Sequence, residues 1–355
     1  MPDTASFPPV ALHGLATALA PHELPQDVVG RRAEEILGPR YPQFRRLLKT
    51  FGSAGIDRRR SVAPFDWFDE GRHGWAERNR FWHEGCLSMF TRAADAALDD
   101  AGWRAGDVDV IVTVTSTGIA TPTLEAVAAE TMGFRADVMR VPIFGLGCAG
   151  GVSGLSIAAQ LALGSPGAKV LLVVVEACTV SFRTDRLQKA DIIATVLFGD
   201  GAAAACLSAG DAATTVRPGV QHRWPGTLDI MGWDVDDEGL GVIFDRSIPD
   251  FATREMAGAV DSSLACMGRT RSDVDRLIAH PGGAKVIAAL ESSLELDPGA
   301  LDLEREVLRD HGNMSAPTVL FVLDAARRDG RRGRMMATAL GPGFTASFAP
   351  VEMGG

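Results

Sequence analysis

Cysteine is scarce in this 355-residue chain, which has five such residues, at positions 86, 148, 178, 206 and 266. Their number is odd, and their spacing lacks the close pairs of a disulfide framework or a zinc site. This usage is typical of a reducing compartment, so we expect a cytoplasmic protein without a bound metal.

Positive charge and long apolar runs are also lacking. The formal net charge is -10 and the sequence pI is about 5.2, which argues against nucleic acid or an anionic membrane as the main partner. Apolar runs such as residues 170–175 are too short to span a bilayer. Residues 1–19 have no basic start followed by a long apolar core. We therefore expect no membrane span and no secretory signal.

The chain contains an internal duplication. A Leu, a Gly and an Asp-Val-Asp triplet recur with identical spacing in residues 98–109 and 264–275. Residues 147–149 and 312–314 then each precede an apolar helical pattern that is followed by an apolar strand. Because the offset stays nearly constant over several elements, duplication explains it better than chance.

Helices and strands alternate in the predicted order of each half, which favours a buried and mainly parallel sheet. We expect two similar halves that share one core, over residues 1–218 and 219–355. Residues 23–80 form an N-terminal helical addition in this scheme.

Cys148 lies in a glycine-rich segment, residues 145–151, between a strand-like run and a helix-like run. The N-terminus of a helix carries partial positive charge, which stabilises a thiolate. The neighbouring glycines would let a substrate approach the backbone closely. On this local pattern Cys148 is either a nucleophile or a small core residue.

The same segment also has a G-x-G-x-x-G pattern, formed by Gly145, Gly147 and Gly150, with Glu176 placed where a ribose-binding acid could lie. This nucleotide-binding alternative, an NAD-dependent oxidoreductase, is less favoured. The pattern lies inside the duplicated unit, and its counterpart at residues 312–314 has no glycine fingerprint.

Two residues of the second half are candidates for work with Cys148. His280 ends a strand and enters a Pro-Gly-Gly turn, so its imidazole is presented at a sheet edge, where acid–base chemistry is possible. Asn313 occupies the position equivalent to Cys148, where its amide could stabilise an oxyanion or simply cap a helix. His311, which we expect at an exposed helix entry, competes with His280. A papain-like hydrolase also uses Cys, His and Asn, but its local cysteine signature differs.

Taken together, the motifs resemble those of the type III polyketide synthases, the chalcone synthase-like enzymes of the thiolase fold. The resemblance rests on the segments 147–150, 197–202, 280–283, 312–315 and 341–343. It implies a thiolase-like α/β fold, with two duplicated αβαβαββ halves in a layered α-β-α-β-α core. Ketoacyl-ACP synthase III, the alternative, shares the Cys/His/Asn set, but its histidine stands in a His-Gln-Ala-Asn context.

The resemblance also implies an acyltransferase mechanism. Cys148 would be acylated by an acyl-CoA, and His280 and Asn313 would stabilise the enolate formed when malonyl-CoA loses carbon dioxide. Coenzyme A thioesters are then substrates, and no cofactor is implied. A homodimer is implied too, in which Thr121 on the 116–122 loop reaches towards the partner's cavity.

Further positions match cavity residues of that family. They are the gatekeeper Phe198, the second gate position Val242, the cavity positions Cys178, Ser181 and Ser315, the chamber loop Gly341, Pro342 and Gly343, and the approximate CoA-binding positions Arg46 and Lys49. A valine at the second gate would leave room for a long starter. We therefore expect alkylpyrones or alkylresorcinols from fatty acyl-CoA, with small phenolics from malonyl-CoA alone as the alternative.

Overall fold

The computed structural model describes residues 7–39, 41, 44, 51–71, 73–183, 185–186 and 188–354. The strands, in chain order, are β1 (Val10–Leu19), β2 (His22–Pro25), β3 (Arg58–Ser61), β4 (Val110–Val114), β5 (Met139–Ile143), β6 (Val170–Ala177), β7 (Asp200–Ala209), β8 (Thr214–Val216), β9 (Val220–Arg223), β10 (Met231–Asp236), β11 (Gly239–Phe244), β12 (Arg276–Ala279), β13 (Gly333–Gly341) and β14 (Thr345–Met353). The helices are α1 (Gln26–Leu37), α2 (Phe65–Asp69), α3 (Trp75–Ala101), α4 (Leu124–Met132), α5 (Gly150–Gly164), α6 (Lys189–Leu197), α7 (Ile248–Cys266), α8 (Ala284–Ser293), α9 (Asp302–His311) and α10 (Thr318–Arg328).

Strand β6 explains the layers. All eight of its residues are buried, as expected of a strand covered on both faces. Because side chains alternate between the faces of a strand, Val170, Leu172 and Val174 pack with α5 and α10, whereas Leu171 and Val173 pack with α3.

The second half is covered in the same way. Met335, Ala337 and Ala339 of β13 belong to the core around α5 and α10, and Met336 and Leu340 face the core that contains α7 and α8. Helices α5 and α10 thus form a central layer between strands of both halves, with further helices outside. This arrangement is the predicted α-β-α-β-α order.

The main sheet runs in the order β12-β13-β14-β8-β1-β7-β6-β4-β5, and β9 pairs with β14. Strands β4, β5 and β6 are parallel, as are β12 and β13, whereas β7 and β14 run antiparallel to their neighbours. Strand β8 pairs with both β1 and β14. It links the two halves, and the boundary after residue 218 stays a prediction.

The last aspartate of the repeated Asp-Val-Asp triplet makes the same kind of hydrogen bond in both halves. The Asp109 carboxylate accepts a hydrogen bond from the backbone N–H of Lys169, 2.8 Å away, just before β6. The Asp275 carboxylate accepts one from the N–H of Arg334, 2.7 Å away, in β13. Each aspartate therefore ties the start of one parallel strand to the next.

The halves differ in one element that matters for the site. In the first half, β4 lies between β6 and β5. In the second half, the chain between α8 and α10 forms helix α9 instead of a strand, so β12 ends the sheet in the described chain.

Helix α5 is the most apolar helix of the core. Residues 147–164 are long and apolar enough to cross a membrane, but 72% of this stretch is buried inside the fold. Its apolar character follows from its place between the strands of the two halves, where most of its residues are buried.

Candidate active site

Cys148 lies in a tight helical turn, Gly147–Ala149, directly before α5. Its side chain is buried, with 9% of its surface exposed. Gly147 has a φ of +47°, and a Cβ atom there would lie 2.6 Å from Cδ of Pro342. Glycine is therefore required on both steric and conformational grounds.

Gly150 and Gly151 of this segment make room for other parts of the protein rather than for a substrate. A Cβ on Gly151 would lie 2.2 Å from the carbonyl oxygen of Ala316, and one on Gly150 would lie 2.8 Å from Cγ1 of Val114. The space predicted for an approaching thioester at these positions is filled by neighbouring segments of the fold. The same packing leaves no cradle for a pyrophosphate.

Asn313 is held by backbone pairing between the two halves. Its N–H donates to the carbonyl of Leu197 at 2.8 Å, and its own carbonyl accepts from the N–H of Gly199 at 3.0 Å. Asn313 thereby forms a parallel bridge with Phe198. Helix α10 begins only at Thr318, so Asn313 is not its N-cap.

The side-chain amide of Asn313 is oriented at both ends. Its Oδ1 accepts from the N–H of Ser315 at 2.8 Å, and its Nδ2 donates to the carbonyl of Gly282 at 3.2 Å. Oδ1 lies 4.0 Å from Sγ of Cys148. The Cys148 sulfur and the Asn313 amide are therefore close neighbours, although they belong to different halves of the chain.

His280 directly follows β12 and is buried. Its N–H donates to the carbonyl of Thr338 at 2.8 Å, and its carbonyl accepts from the N–H of Gly282 at 3.0 Å. Neither ring nitrogen has a hydrogen-bond partner among the described residues. A buried imidazole with both nitrogens unused is available to a substrate.

Cys148, His280 and Asn313 line one cavity, as the sequence predicts. Its other walls are mostly apolar and come largely from the second half, with Met231, Phe244, Ile248, Met256, Gly282, Val286, Leu290, Thr338, Ala339 and Leu340. Within the described chain, no three His, Cys, Asp or Glu side chains come together as a metal site.

Burial shifts the pKa values of both Cys148 and His280. It raises the pKa of the Cys148 thiol to about 11, against the lowering effect of hydrogen bonds from Ser315 and Asn313. It lowers the pKa of His280 to about 3. Burial therefore favours the uncharged form of both groups and opposes the thiolate that the helix N-terminus favours, so the resting thiolate stays a prediction.

Ser315 and the 341–343 turn complete the wall behind the sulfur. Ser315 is buried and has a φ of +60°, which turns the chain after Asn313 back towards Cys148. Gly341 ends β13, and a Cβ there would lie 2.6 Å from Cβ of Ala149. The second half thus packs directly on the turn that carries the cysteine.

The predicted gate residues Phe198 and Val242 and the predicted cavity residue Cys178 form a second apolar cluster, beside the cavity that contains Cys148. Cys178, Phe198 and Val242 are buried together, and Phe182 and Trp233 pack against them. Phe244, a partly buried neighbour of the cluster, also lines the cavity. The room expected beside Val242 is therefore bounded by large aromatic side chains.

The remaining predicted residues have different positions. Ser181 is buried, and its hydroxyl donates to the carbonyl of Cys178 at 2.6 Å. Thr121 is exposed and does not line the cavity of its own chain. Arg46 and Lys49 lie outside the described residues.

His311 is not at an exposed helix entry, contrary to expectation. It is the last residue of α9, half-buried beside the ring of Phe321 at 5.2 Å between centroids. It is not among the residues that line the cavity. His280 is therefore the histidine of the site.

Sequence reasoning missed the support behind the Cys148 turn. Glu176 is completely buried and accepts from the N–H of Ser116 at 2.9 Å and the hydroxyl of Thr117 at 2.7 Å. The hydroxyl of Ser116 in turn accepts from the N–H groups of Gly145 and Gly147, at 3.3 and 3.2 Å. The sequence signal for this support was a single acid, Glu176, near the end of an apolar strand. Glu176 is too deeply buried to hold a ribose.

Comparisons with known proteins agree with this geometry. Residues 68–211 match the family of chalcone and stilbene synthases, N-terminal domain, and residues 216–351 match the C-terminal domain. The chain is 38% identical to a 1,3,6,8-tetrahydroxynaphthalene synthase of Streptomyces peucetius subsp. caesius, over 94% of this chain and 90% of that protein.

Solved structures have the same fold. The 1,3,6,8-tetrahydroxynaphthalene synthase of Streptomyces coelicolor, a bacterial type III polyketide synthase, superposes with a TM-score of 0.90 and 28% identity, over 97% of this chain and 99% of that one. CsyB, an acylalkylpyrone synthase of Aspergillus oryzae, superposes in its complex with coenzyme A with a TM-score of 0.87 and 27% identity, over 97% and 100% of the two chains. The thiolase-like fold is confirmed, and the chain belongs to the chalcone and stilbene synthase family, the type III polyketide synthases.

Proposed function

We propose that this enzyme condenses malonyl-CoA units iteratively on Cys148, with His280 and Asn313 as its partners. The observation that carries the proposal is the convergence of these three side chains, from both halves of the chain, in one buried cavity. Catalysis of this kind needs a nucleophile, a base and an oxyanion donor within reach of one reacting carbon.

The first step is acylation of the cysteine. His280 takes the proton of the Cys148 thiol while the sulfur attacks the thioester carbonyl. The bond between that carbon and the sulfur of coenzyme A then breaks, and His280 returns the proton to the departing thiolate. Because burial disfavours a separate thiolate and a separate imidazolium, we propose that the proton transfer accompanies the attack.

The second step is decarboxylative condensation. Malonyl-CoA loses carbon dioxide, and the electrons of the broken bond form an enolate whose oxygen accepts from the imidazole N–H of His280 and the Nδ2 group of Asn313. The enolate carbon attacks the acyl-cysteine carbonyl and displaces the sulfur of Cys148. The lengthened chain is then returned to the cysteine for the next cycle.

We infer that the starter is short and that malonyl-CoA itself serves, so that the product is a small phenolic. Bulky side chains line the cavity, and Trp233 and Phe182 bound the space at Val242. The 38% identical relative is a tetrahydroxynaphthalene synthase. These observations favour malonyl-CoA over the fatty acyl starter suggested by Val242 alone.

Coenzyme A thioesters are the proposed small-molecule partners. A related structure contains coenzyme A, and Arg46 and Lys49 remain the predicted phosphate contacts. Arg59, from the same basic stretch, has another role, because it is completely buried and its guanidinium donates to the carbonyl of Phe198 at 2.6 Å.

We further propose a homodimer formed along β5. This strand ends the sheet in the described chain, and Met139, Phe144 and Ile119 near it are each more than half exposed. An open edge with apolar side chains is rarely left uncovered in a folded protein. Ile119, in the 116–122 loop that also carries Thr121, lines a cavity together with Ile143 and Phe144 at the end of β5. A reducing cytoplasm suits the enzyme, since its nucleophile must stay a free thiol.

Incubation with malonyl-CoA alone and with acyl-CoA starters of increasing length tests the function. Products and the Cys148 adduct are identified by mass spectrometry. We expect an aromatic product from malonyl-CoA alone and an acyl adduct on Cys148. The Cys148→Ala variant should lose chain extension but still release carbon dioxide. Chain extension by that variant would refute the nucleophile, and rejection of malonyl-CoA as a starter would refute the substrate assignment.

A further inference from the structure

Strand β12 has an open edge directly before His280. In the first half β5 supplies pairing partners to the equivalent edge of β4, whereas β12 pairs only with β13 within the described chain. Backbone N–H groups of a parallel strand point alternately to its two sides. The N–H of His280 points to Thr338 of β13, so the N–H of Ala279 points to the open side.

A carboxylate takes the place of the missing strand. Oε1 of Glu304, on α9, accepts from the N–H of Ala279 at 2.9 Å. Its Oε2 accepts from Nη2 of Arg276 at 3.1 Å, a residue at the start of the same strand. Glu304 therefore holds both ends of β12.

Burial of the Glu304 carboxylate is unfavourable in free energy. Glu304 has no exposed surface, and burial raises its pKa to about 7 despite the opposing effects of the Ala279 N–H and Arg276. Both of its oxygens are nevertheless bonded to β12, one to the N–H of Ala279 and one to Arg276. These contacts fix the backbone at the end of β12, directly before His280.

That point matters because the imidazole of His280 has no hydrogen bond of its own among the described residues. Its position is set by the backbone on either side of it. We propose that Glu304 is a positioning residue for catalysis, which holds the end of β12 so that the His280 imidazole faces the Cys148 sulfur and the enolate. The proposal rests on the role proposed above for His280.

The test measures carbon dioxide release from malonyl-CoA by the full-length enzyme. Glu304→Leu removes the acceptor, and Glu304→Met does so with a longer side chain that fills the space. Glu304→Gln keeps an acceptor oxygen. We expect kcat to fall roughly tenfold or more in the Leu and Met variants, because small displacements of a catalytic group have large effects on rate. KM should change less than twofold, and Gln should restore most of kcat.

Glu291→Gln is the matched control. Glu291, on α8, holds the same helix α9 through two contacts of 2.6 Å with Arg305, but does not touch β12. An equal fall of kcat in this control would overturn the proposal, since it would show that anchoring α9 is enough. So would unchanged kcat in a folded Leu or Met variant, or a loss confined to KM.

His280→Gln separates the two levels of inference. If the unaltered enzyme releases no carbon dioxide, or if His280→Gln is as active as that enzyme, the proposed function fails. If His280→Gln is inactive and the Glu304 variants are fully active, only the role of Glu304 fails. Thermal unfolding of each variant identifies a loss that comes from misfolding.

Discussion

At the scale of single residues, the site combines a thiol and an imidazole whose charged forms are both disfavoured by burial. Removal from water disfavours both the thiolate and the imidazolium, so the pKa of Cys148 is raised and that of His280 is lowered. Ser315 opposes the effect on the sulfur by a hydrogen bond. The reactivity of Cys148 is thus set by a balance between burial and a few polar contacts.

Ser315→Ala should raise the pKa of Cys148 further, since the hydrogen bond that favours the thiolate is lost. The rate of alkylation of Cys148 by iodoacetamide, followed by peptide mass spectrometry, should then fall several-fold at pH 8 and its pH profile should move to higher pH. Ser347→Ala is the control, because the Ser347 hydroxyl is bonded to Ser153 at 2.8 Å and Ser347 is not among the cavity-lining residues. An unchanged profile in Ser315→Ala would contradict the assigned contact.

At the scale of elements, the turn before α5 depends on contact with the hairpin that joins β13 and β14. Gly147 adopts a left-handed conformation and leaves no room for a Cβ beside Pro342. Gly145 also has a positive φ, of +89°, but a Cβ there would have no neighbour within 4 Å. Substitution of Gly145 therefore tests backbone strain alone, whereas substitution of Gly147 tests strain together with steric contact.

Gly147→Ala should therefore be more damaging than Gly145→Ala. Left-handed backbone disfavours alanine by about 1–2 kcal/mol at either position, and only at Gly147 is overpacking added, which typically costs about 1–3 kcal/mol more. Chemical denaturation gives the free energies of unfolding, and acylation of Cys148 reports on the site. Equal destabilisation by the two substitutions would argue against the contact with Pro342.

The β10–β11 hairpin carries the proposed control of starter size. Trp233 on β10 lies opposite Val242 on β11 in the register and packs with Phe198 and Cys178. The small residue at position 242 is thus compensated by a large one on the neighbouring strand.

Trp233→Ala should open this cluster to longer starters. We expect kcat/KM for hexanoyl-CoA to rise roughly tenfold or more relative to the unaltered enzyme, a range typical of a reshaped apolar pocket. Val235→Ala, an exposed position on the same hairpin, should leave the starter preference unchanged. A starter preference unaltered by Trp233→Ala would place the size limit elsewhere.

At the scale of the whole molecule, several acids are buried in the core. Burial raises the pKa of Glu176 to about 7, from 4.5. Between these values the folded state binds more protons than the unfolded state, so the contribution of Glu176 to stability falls as the pH rises from 4.5 to about 7.

Glu176→Gln should consequently gain stability relative to the unaltered enzyme as the pH is raised from 5 to 8. The difference in free energy of unfolding should change by up to about 1.4 kcal/mol per pH unit over the titration range. Contributions from His280 cancel, because they are common to both proteins. A flat difference for Glu176→Gln would mean that Glu176 titrates normally.

The proposed dimer predicts a further property of the whole molecule. Phe144→Glu adds a charge at the exposed edge of β5 and should yield monomers in analytical ultracentrifugation. Val235→Glu changes an equally exposed apolar residue on the β10–β11 hairpin and should not. Monomers in the unaltered enzyme would refute the homodimer.

The fold class and the candidate catalytic residues Cys148, His280 and Asn313 could be predicted from the sequence alone. Both depend on local signals: alternating apolar patterns, glycines at turns, and the duplicated order that set Cys148 opposite Asn313. The repeated Asp109 and Asp275 also indicated equivalent strands in the two halves. In the structure each carboxylate accepts the same kind of hydrogen bond from a backbone N–H at the next parallel strand. Periodicity and backbone conformation are properties of neighbouring residues, so they are visible in one dimension.

Features that depend on packing between distant segments could be read only from the three-dimensional structure. Burial raises the pKa of the Cys148 thiol, an effect that the helix N-terminus alone did not predict. Gly147 and Gly151 make room for Pro342 and Ala316 of the second half, and Trp233 fills the space left by Val242. Glu304 meets Ala279 because a helix replaces a strand in one half. Desolvation and steric contact arise from residues brought together in space, and sequence spacing does not contain them.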